Sequence, residues 1–129
     1  MPELPEVETV RRGLADLLPG QAVVRATVFD SPKSFPNSPT DVQQFLYGAH
    51  VTAVRRRAKV LMIDLDTRYS LVIHLKMTGQ LIFRGANSFA GGHPNDSLIG
   101  ELPDRSTRVQ IDFTDGSRLF LMISVSLAG

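Results

Sequence analysis

The residues with the greatest chemical reach stand at the start of the chain, Met1-Pro2-Glu3. An initiator methionine is usually removed before a small residue such as proline, and its removal leaves a free secondary amine on Pro2 beside the carboxylate of Glu3. A chain-terminal amine titrates near roughly 7.7–8.0, so an appreciable fraction is unprotonated at neutral pH; a lysine, near about 10.4, needs desolvation or positive neighbours to match it. A secondary amine also condenses directly with an aldehyde carbon to give an iminium. The pair is therefore a nucleophile with an acid next to it. The same residues suit a plain helix start, with proline in the first turn and acids near the positive end of the helix dipole.

The elements that must position this terminus follow from periodicity. Val7, Val10, Leu14 and Leu17 recur at helical spacing between Pro5 and Leu18, and Gly20 supplies a stop, so the terminus leads into an amphipathic helix. Residues 22–29 are rich in β-branched side chains and predict a strand. Residues 31–39 carry three prolines and predict a loop, after which Thr40-Asp41 can cap a short helix through about Tyr47, ended by Gly48. His50–Asp66 and Tyr69–Met77 predict a hairpin of two long strands, and Gln80–Phe83 a further strand. Residues 84–104 are heavy in Gly, Asn, Ser and Pro without periodicity, a length that marks a functional or mobile connection. Thr107–Thr114 alternates with Val109, Ile111 and Phe113 inward, Asp115-Gly116 is a hairpin turn, and Ser117 opens another strand. The pattern predicts a mainly β fold of α+β type: a β-sandwich or flattened barrel flanked by helices.

Composition narrows the class. A chain of 129 residues with 43% hydrophobic content forms one domain with its own core. Cysteine is absent, which excludes disulfides and thiolate-ligated zinc in this chain and agrees with a reducing, cytoplasmic setting. No apolar run has the length of a membrane span, and the acidic opening lacks a signal-peptide layout. The net charge is only +1, yet the cations are unevenly placed, with Arg55, Arg56, Arg57 and Lys59 in one cluster and Arg11 and Arg12 in another. Such a patch attracts phosphates locally; it also serves as the charged edge of a solvated strand.

The opening Met1-Pro2-Glu3-Leu4-Pro5-Glu6-Val7-Glu8-Thr9-Val10-Arg11-Arg12-Gly13-Leu14 resembles the N-terminus of the formamidopyrimidine-DNA glycosylase and endonuclease-eight family of base-excision repair enzymes, and is close to its bacterial formamidopyrimidine branch. Arg56-Arg57-Ala58-Lys59 and Ile73-His74-Leu75-Lys76-Met77-Thr78-Gly79-Gln80 continue the match. The resemblance implies a β-sandwich with a helix at each end, double-stranded damaged DNA as partner, no obligate protein partner and no membrane. It implies Pro2 as nucleophile at the sugar C1′, Glu3 as the acid that helps open the ring, Lys59 as phosphate clamp and proton-transfer group, and Glu6 as a supporting acid. It implies His74 at a phosphate near the lesion and Met77 as the apolar wedge that fills the stack vacated by an extruded nucleotide. Arg56, Arg57 and Arg108 complete the DNA-binding set. Taken singly, Met77 also reads as core filler, His74 as a satisfied core histidine, Lys59 as surface charge and Glu6 as a helix-terminus charge.

The resemblance stops after Phe120. In place of the family's Phe-Asn-Asp-Gln-Arg-Lys-Phe-Gly-Trp the chain has Leu121-Met122-Ile123-Ser124-Val125-Ser126-Leu127-Ala128-Gly129, and every one of these residues is an allowed reading of those codons after loss of one base from the first. The expectation is a catalytic domain over residues 1–120 and an out-of-family, frameshifted tail over 121–129. The arginine and phenylalanine wedges, the helix-two-turn-helix region and the zinc finger of longer members are then missing, so no cofactor is expected here. A family histidine that contacts DNA is replaced, Asp104-Arg105-Ser106-Thr107-Arg108 standing in its place. An incomplete last strand would leave a sheet edge open to self-association.

Overall fold

The computed structural model describes residues 4–29, 32–75, 80–85, 89–92, 102–103 and 106–129. Helix α1 (Leu4–Leu17) forms where the apolar spacing requires it. Val7, Val10, Leu14 and Leu18 make one stripe that is at most 2% exposed, while Leu17 is only partly buried. Gly20, at φ +90°, turns the chain out of the helix in the left-handed conformation that glycine adopts without a Cβ clash.

Strand β1 (Val23–Val28) follows, then a 3₁₀ turn (Pro32–Ser34) and helix α2 (Pro39–Phe45). The cap of α2 differs from the sequence expectation. Pro39 occupies the first turn, where its missing N–H costs nothing, so capping falls to Ser38, whose Oγ accepts from the Asp41 N–H at 3.2 Å.

The remaining strands are β2 (Val51–Arg57), β3 (Val60–Leu65), β4 (Ser70–His74), β5 (Gln80–Arg84), β6 (Phe89–Gly92), β7 (Val109–Phe113), β8 (Arg118–Leu121) and β9 (Val125–Ala128). They form a five-stranded sheet in the order β1-β7-β8-β5-β6 and a four-stranded sheet in the order β2-β3-β4-β9. Every pairing is antiparallel. One core lies between them: Val23, Leu81, Ile111 and Leu119 from the first sheet meet Val54, Leu61, Ile63, Ile73 and Val125 from the second, together with the stripe of α1. This is the mainly β sandwich with flanking helices that the sequence predicts.

Two expectations are corrected, and the last segment is placed. Residues 50–66 are two strands, because the chain reverses at Ala58-Lys59, a turn with no Gly, Asn or Pro to announce it. The aperiodic stretch 84–104 contains β6, which pairs with β5. The residues set apart as a tail are built into the fold. Leu121 ends β8, and β9 pairs with β4 from Ser70↔Ala128 to Ile73↔Val125, with Val125 and Leu127 buried. Nor is the outer edge of β9 bare: the Asn37 side chain accepts from the Leu127 N–H at 2.8 Å and donates to the Leu127 carbonyl at 2.7 Å.

Candidate functional site

The β2–β3 hairpin sorts the basic cluster by strand alternation. Arg57 pairs with Val60, so Ala58 and Lys59 form a two-residue turn, with Ala58 at φ +52°. Arg56 lies opposite Leu61, on the face of Val54 and the buried Leu61 and Ile63, and this face is covered by α1. Its guanidinium donates through Nε to Glu8 Oε1 at 3.0 Å and through Nη1 to the Ala58 carbonyl at 3.0 Å. Glu8, one turn into α1, also accepts from Arg11 at 2.9 and 2.8 Å and from Arg12 at 2.9 Å. Hydrogen bonds from Arg11 and then Arg56 and Arg12 hold its carboxyl far below the ordinary carboxylate range, against a smaller opposing effect of burial. Arg55 points to the other face and grips Asp64 with both Nε and Nη2, at 2.5 and 3.0 Å, while Ser70 Oγ donates to the same carboxylate at 2.7 Å. These bonds lower the Asp64 pKa, the Arg55 pair contributing most.

The outer face of the four-stranded sheet is different in character. Arg57 lies beside Val60, and Val60 beside His74, so the three stand in one row across β2, β3 and β4. Past His74 opens a cleft of about 330 Å³ whose lining includes Lys33, His74, Arg108, Ser124 and Ser126 and, among the described residues, no carboxylate. Arg57, His74 and Arg108 are exposed, and among the described residues their side chains have no hydrogen-bond or ion-pair partner. A larger hollow of about 690 Å³ between β1 and α2 is lined mainly by apolar side chains and by none of the residues singled out in the sequence.

The predicted site residues thus separate. His74 and Arg108 line one cleft, Arg57 shares its face, and Lys59 stands at the adjoining turn. Arg56 does not join them, since its guanidinium is engaged with Glu8 and Ala58. Glu6 is exposed in the first turn of α1, where the helix dipole favours a carboxylate. Pro2, Glu3 and Met77 lie outside the described residues.

Sequence reasoning passed over Lys33, Ser124, Ser126 and Glu8. For Glu8 a signal existed, because Arg11 and Arg12 follow it at the i+3 and i+4 positions that meet on a helix. For the two serines the signal was their alternation with Val125 and Leu127. Lys33, alone between prolines, carries none.

Among the described residues no three His, Asp or Glu side chains come together as a metal site, and the chain has no cysteine. These residues do not fit the zinc that the resemblance attaches to a further module. No described helix is long and apolar enough to cross a membrane.

The architecture is a two-sheet sandwich entered by an amphipathic helix, with Arg57 and His74 on one sheet face and without a partner among the described residues. The formamidopyrimidine-DNA glycosylase N-terminal domain model matches residues 1–122, and the chain belongs to that family. The formamidopyrimidine-DNA glycosylase of Jannaschia sp. is 42% identical over 125 residues, covering 95% of this chain and 44% of the relative. That of Chloroflexus aurantiacus is 45% identical over 98 residues, covering 76% and 35%. The chain spans less than half the length of these relatives. Among solved structures, wild-type Lactococcus lactis Fpg (MutM) in complex with DNA containing N7-benzyl-Fapy-dG superposes with a TM-score of 0.75 at 24% identity, covering 98% of this chain and 43% of that one. At that identity the likeness establishes the fold.

Proposed function

We propose that this chain is the nucleophile-bearing domain of a DNA glycosylase and abasic-site lyase acting on oxidised purines in double-stranded DNA. The observation that carries this reading is the family match over residues 1–122, a span that includes Pro2, Glu3, Lys59, His74 and Met77. The Pro2 nitrogen attacks C1′ of the extruded nucleotide, the C1′–N bond breaks, and the damaged base leaves with the bonding pair. Glu3 gives a proton to the ring oxygen as the sugar opens, and loss of the Pro2 proton yields an iminium between Pro2 and C1′. The iminium acidifies C2′, so loss of a C2′ proton expels the 3′ phosphate; a second elimination expels the 5′ phosphate. Lys59, at the hairpin turn, is the side chain assigned to move protons in these steps.

The side chains without a partner among the described residues supply the DNA contact. Arg57, His74 and Arg108 offer donors to a phosphodiester backbone, with Lys33 and the Ser124 and Ser126 hydroxyls beside them. Met77 follows on the same segment as the wedge that takes the place of the extruded nucleotide. A cysteine-free protein of this type works in a reducing cytoplasm, on the chromosome.

Borohydride reduction of the intermediate tests the assignment. Incubation of the full chain with DNA carrying an abasic site or 8-oxoguanine should give a covalent protein–DNA adduct, and Pro2→Leu, whose bulk blocks methionine removal, should abolish it. Absence of adduct from wild-type protein at high concentration, with intact mass showing Met1 removed, would leave only a non-catalytic DNA-binding role.

A further inference from the structure

Arg56 is the arginine of the basic cluster that lies on the α1 side of the hairpin, and its two hydrogen bonds go to two different elements. Nε meets Glu8 Oε1 on α1 at 3.0 Å, and Nη1 meets the Ala58 carbonyl at 3.0 Å. The Ala58 carbonyl belongs to the peptide unit whose N–H is that of Lys59, so this bond fixes the plane from which Lys59 departs. The turn needs such a fixture. Ala58 is at φ +52°, a conformation that glycine takes readily and alanine resists, and no glycine stands in the turn. At the other end, Glu8 is held by Arg11 as well, and Arg11 Nη1 reaches the Val54 carbonyl of β2 at 3.5 Å. Helix α1, which begins two residues after Pro2, is thereby cross-linked to the strand that carries the turn.

We propose that Arg56 is a positioning residue, a brace from Glu8 to the Ala58–Lys59 peptide that sets Lys59 against the start of α1. This deepens the proposed function and rests on its assignment of the chemistry to Pro2 and Lys59. A lysine at position 56 keeps the charge but lacks the planar fork that meets two acceptors at once. The brace therefore acts on the proton-transfer geometry of Lys59, where a misplacement of about 1 Å costs on the order of 100-fold in rate, and adds nothing to phosphate binding.

The test uses the full chain on DNA with a single abasic site, measuring Schiff-base formation by borohydride trapping, elimination in a single turnover, and affinity across a salt series. Arg56→Lys is expected to trap within about twofold of wild type yet eliminate at least about tenfold more slowly, with an unchanged salt slope. Lys59→Met should show the same step-specific loss, and Arg56→Lys combined with it should add little, since both act through one group. Glu8→Gln, which keeps an oxygen acceptor for Arg56, gives a smaller loss in the same step and answers the objection that the Arg56 variant is misfolded; its thermal midpoint provides the control. Normal elimination by a trapping-competent Arg56→Lys overturns the brace alone. A salt slope reduced by about one in Arg56→Gln overturns it in favour of a phosphate contact. No adduct from wild type overturns the brace together with the functional reading beneath it.

Discussion

Arg56 and Arg57 are neighbours of the same type, and the structure gives them opposite work. Arg56 faces α1 beside Val54 and Leu61 and is held by Glu8 and the Ala58 carbonyl. Arg57 faces away, in a row with Val60 and His74 that leads to a cleft lined by Lys33 and Arg108. The strand's two-residue period divides the run of cations into an inner member that ties elements together and outer members left for a ligand. Arg55 shows that facing outward is not sufficient, because Asp64 satisfies it. Under the proposed function, a side chain belongs to the recognition surface only when it is outward and no carboxylate among the described residues reaches it. That rule selects Arg57, His74 and Arg108.

Removing the outer charges is the largest break that can be made in this contrast. Arg57→Gln with Arg108→Gln deletes the two arginines proposed to meet phosphates, each worth a salt slope of roughly 0.9, so affinity for duplex DNA at 0.1 M salt should fall about 50-fold and the slope by nearly two. Arg55→Gln, measured in the same titrations, should leave the slope unchanged. Equal losses from Arg55 and Arg57 would dissolve the distinction between the two faces. A smaller effect sharpens it from the neutral side. Asn37→Ala removes the two hydrogen bonds that hold the outer edge of β9, the strand that brings Ser124 and Ser126 to the cleft. Stability should fall by about 1–2 kcal/mol. DNA binding should weaken without any change in salt slope, since no charge is lost. With the Leu127 N–H and carbonyl uncovered, light scattering should also show more self-association than in wild type; equal association would mean that Asn37 does not guard this edge.

Much of this arrangement was legible in the sequence because it follows from short periods. The helical recurrence of Val7, Val10 and Leu14, the alternation of Val109, Ile111 and Phe113, and the Asp115-Gly116 turn each state a local preference that the fold keeps. The Ala58-Lys59 turn was not legible, since its positive φ is imposed on an alanine by contacts from Arg56 and by the pairing of β2 with β3. Ser38 as the helix cap was hidden behind Pro39, which looks like part of a loop until its place in the first turn is known. The division between Arg56 and Arg57 needs the register of β2 and the location of α1, both long-range facts. The cleft is likewise assembled from four separate segments, and only its histidine and Arg108 were marked by a motif or a replacement within one.

The inner network has its own signature, smaller than either of these effects. Glu8 has an ordinary pKa of 4.5 and Asp64 one of 3.8, and both are lowered in the fold, by Arg11 and Arg56 in the first case and by Arg55 and Ser70 in the second. A carboxyl whose folded pKa is depressed contributes stability that is complete above its unfolded value and is lost as the pH falls toward the folded one. The thermal midpoint should therefore be insensitive to these groups at neutral pH and should decline once the pH drops below about 5. Glu8→Gln, which cannot take up that proton, should have a shallower acid limb, so the gap between the two proteins narrows steadily as acid is added. Because Arg12 is 74% exposed and Glu8 itself 25% exposed, added salt should shrink the gap at pH 7 as well. A gap between wild type and Glu8→Gln that is the same at pH 2 as at pH 7 would show that Glu8 acts through packing, and the inner face would then owe its order to Val54 and Leu61 alone.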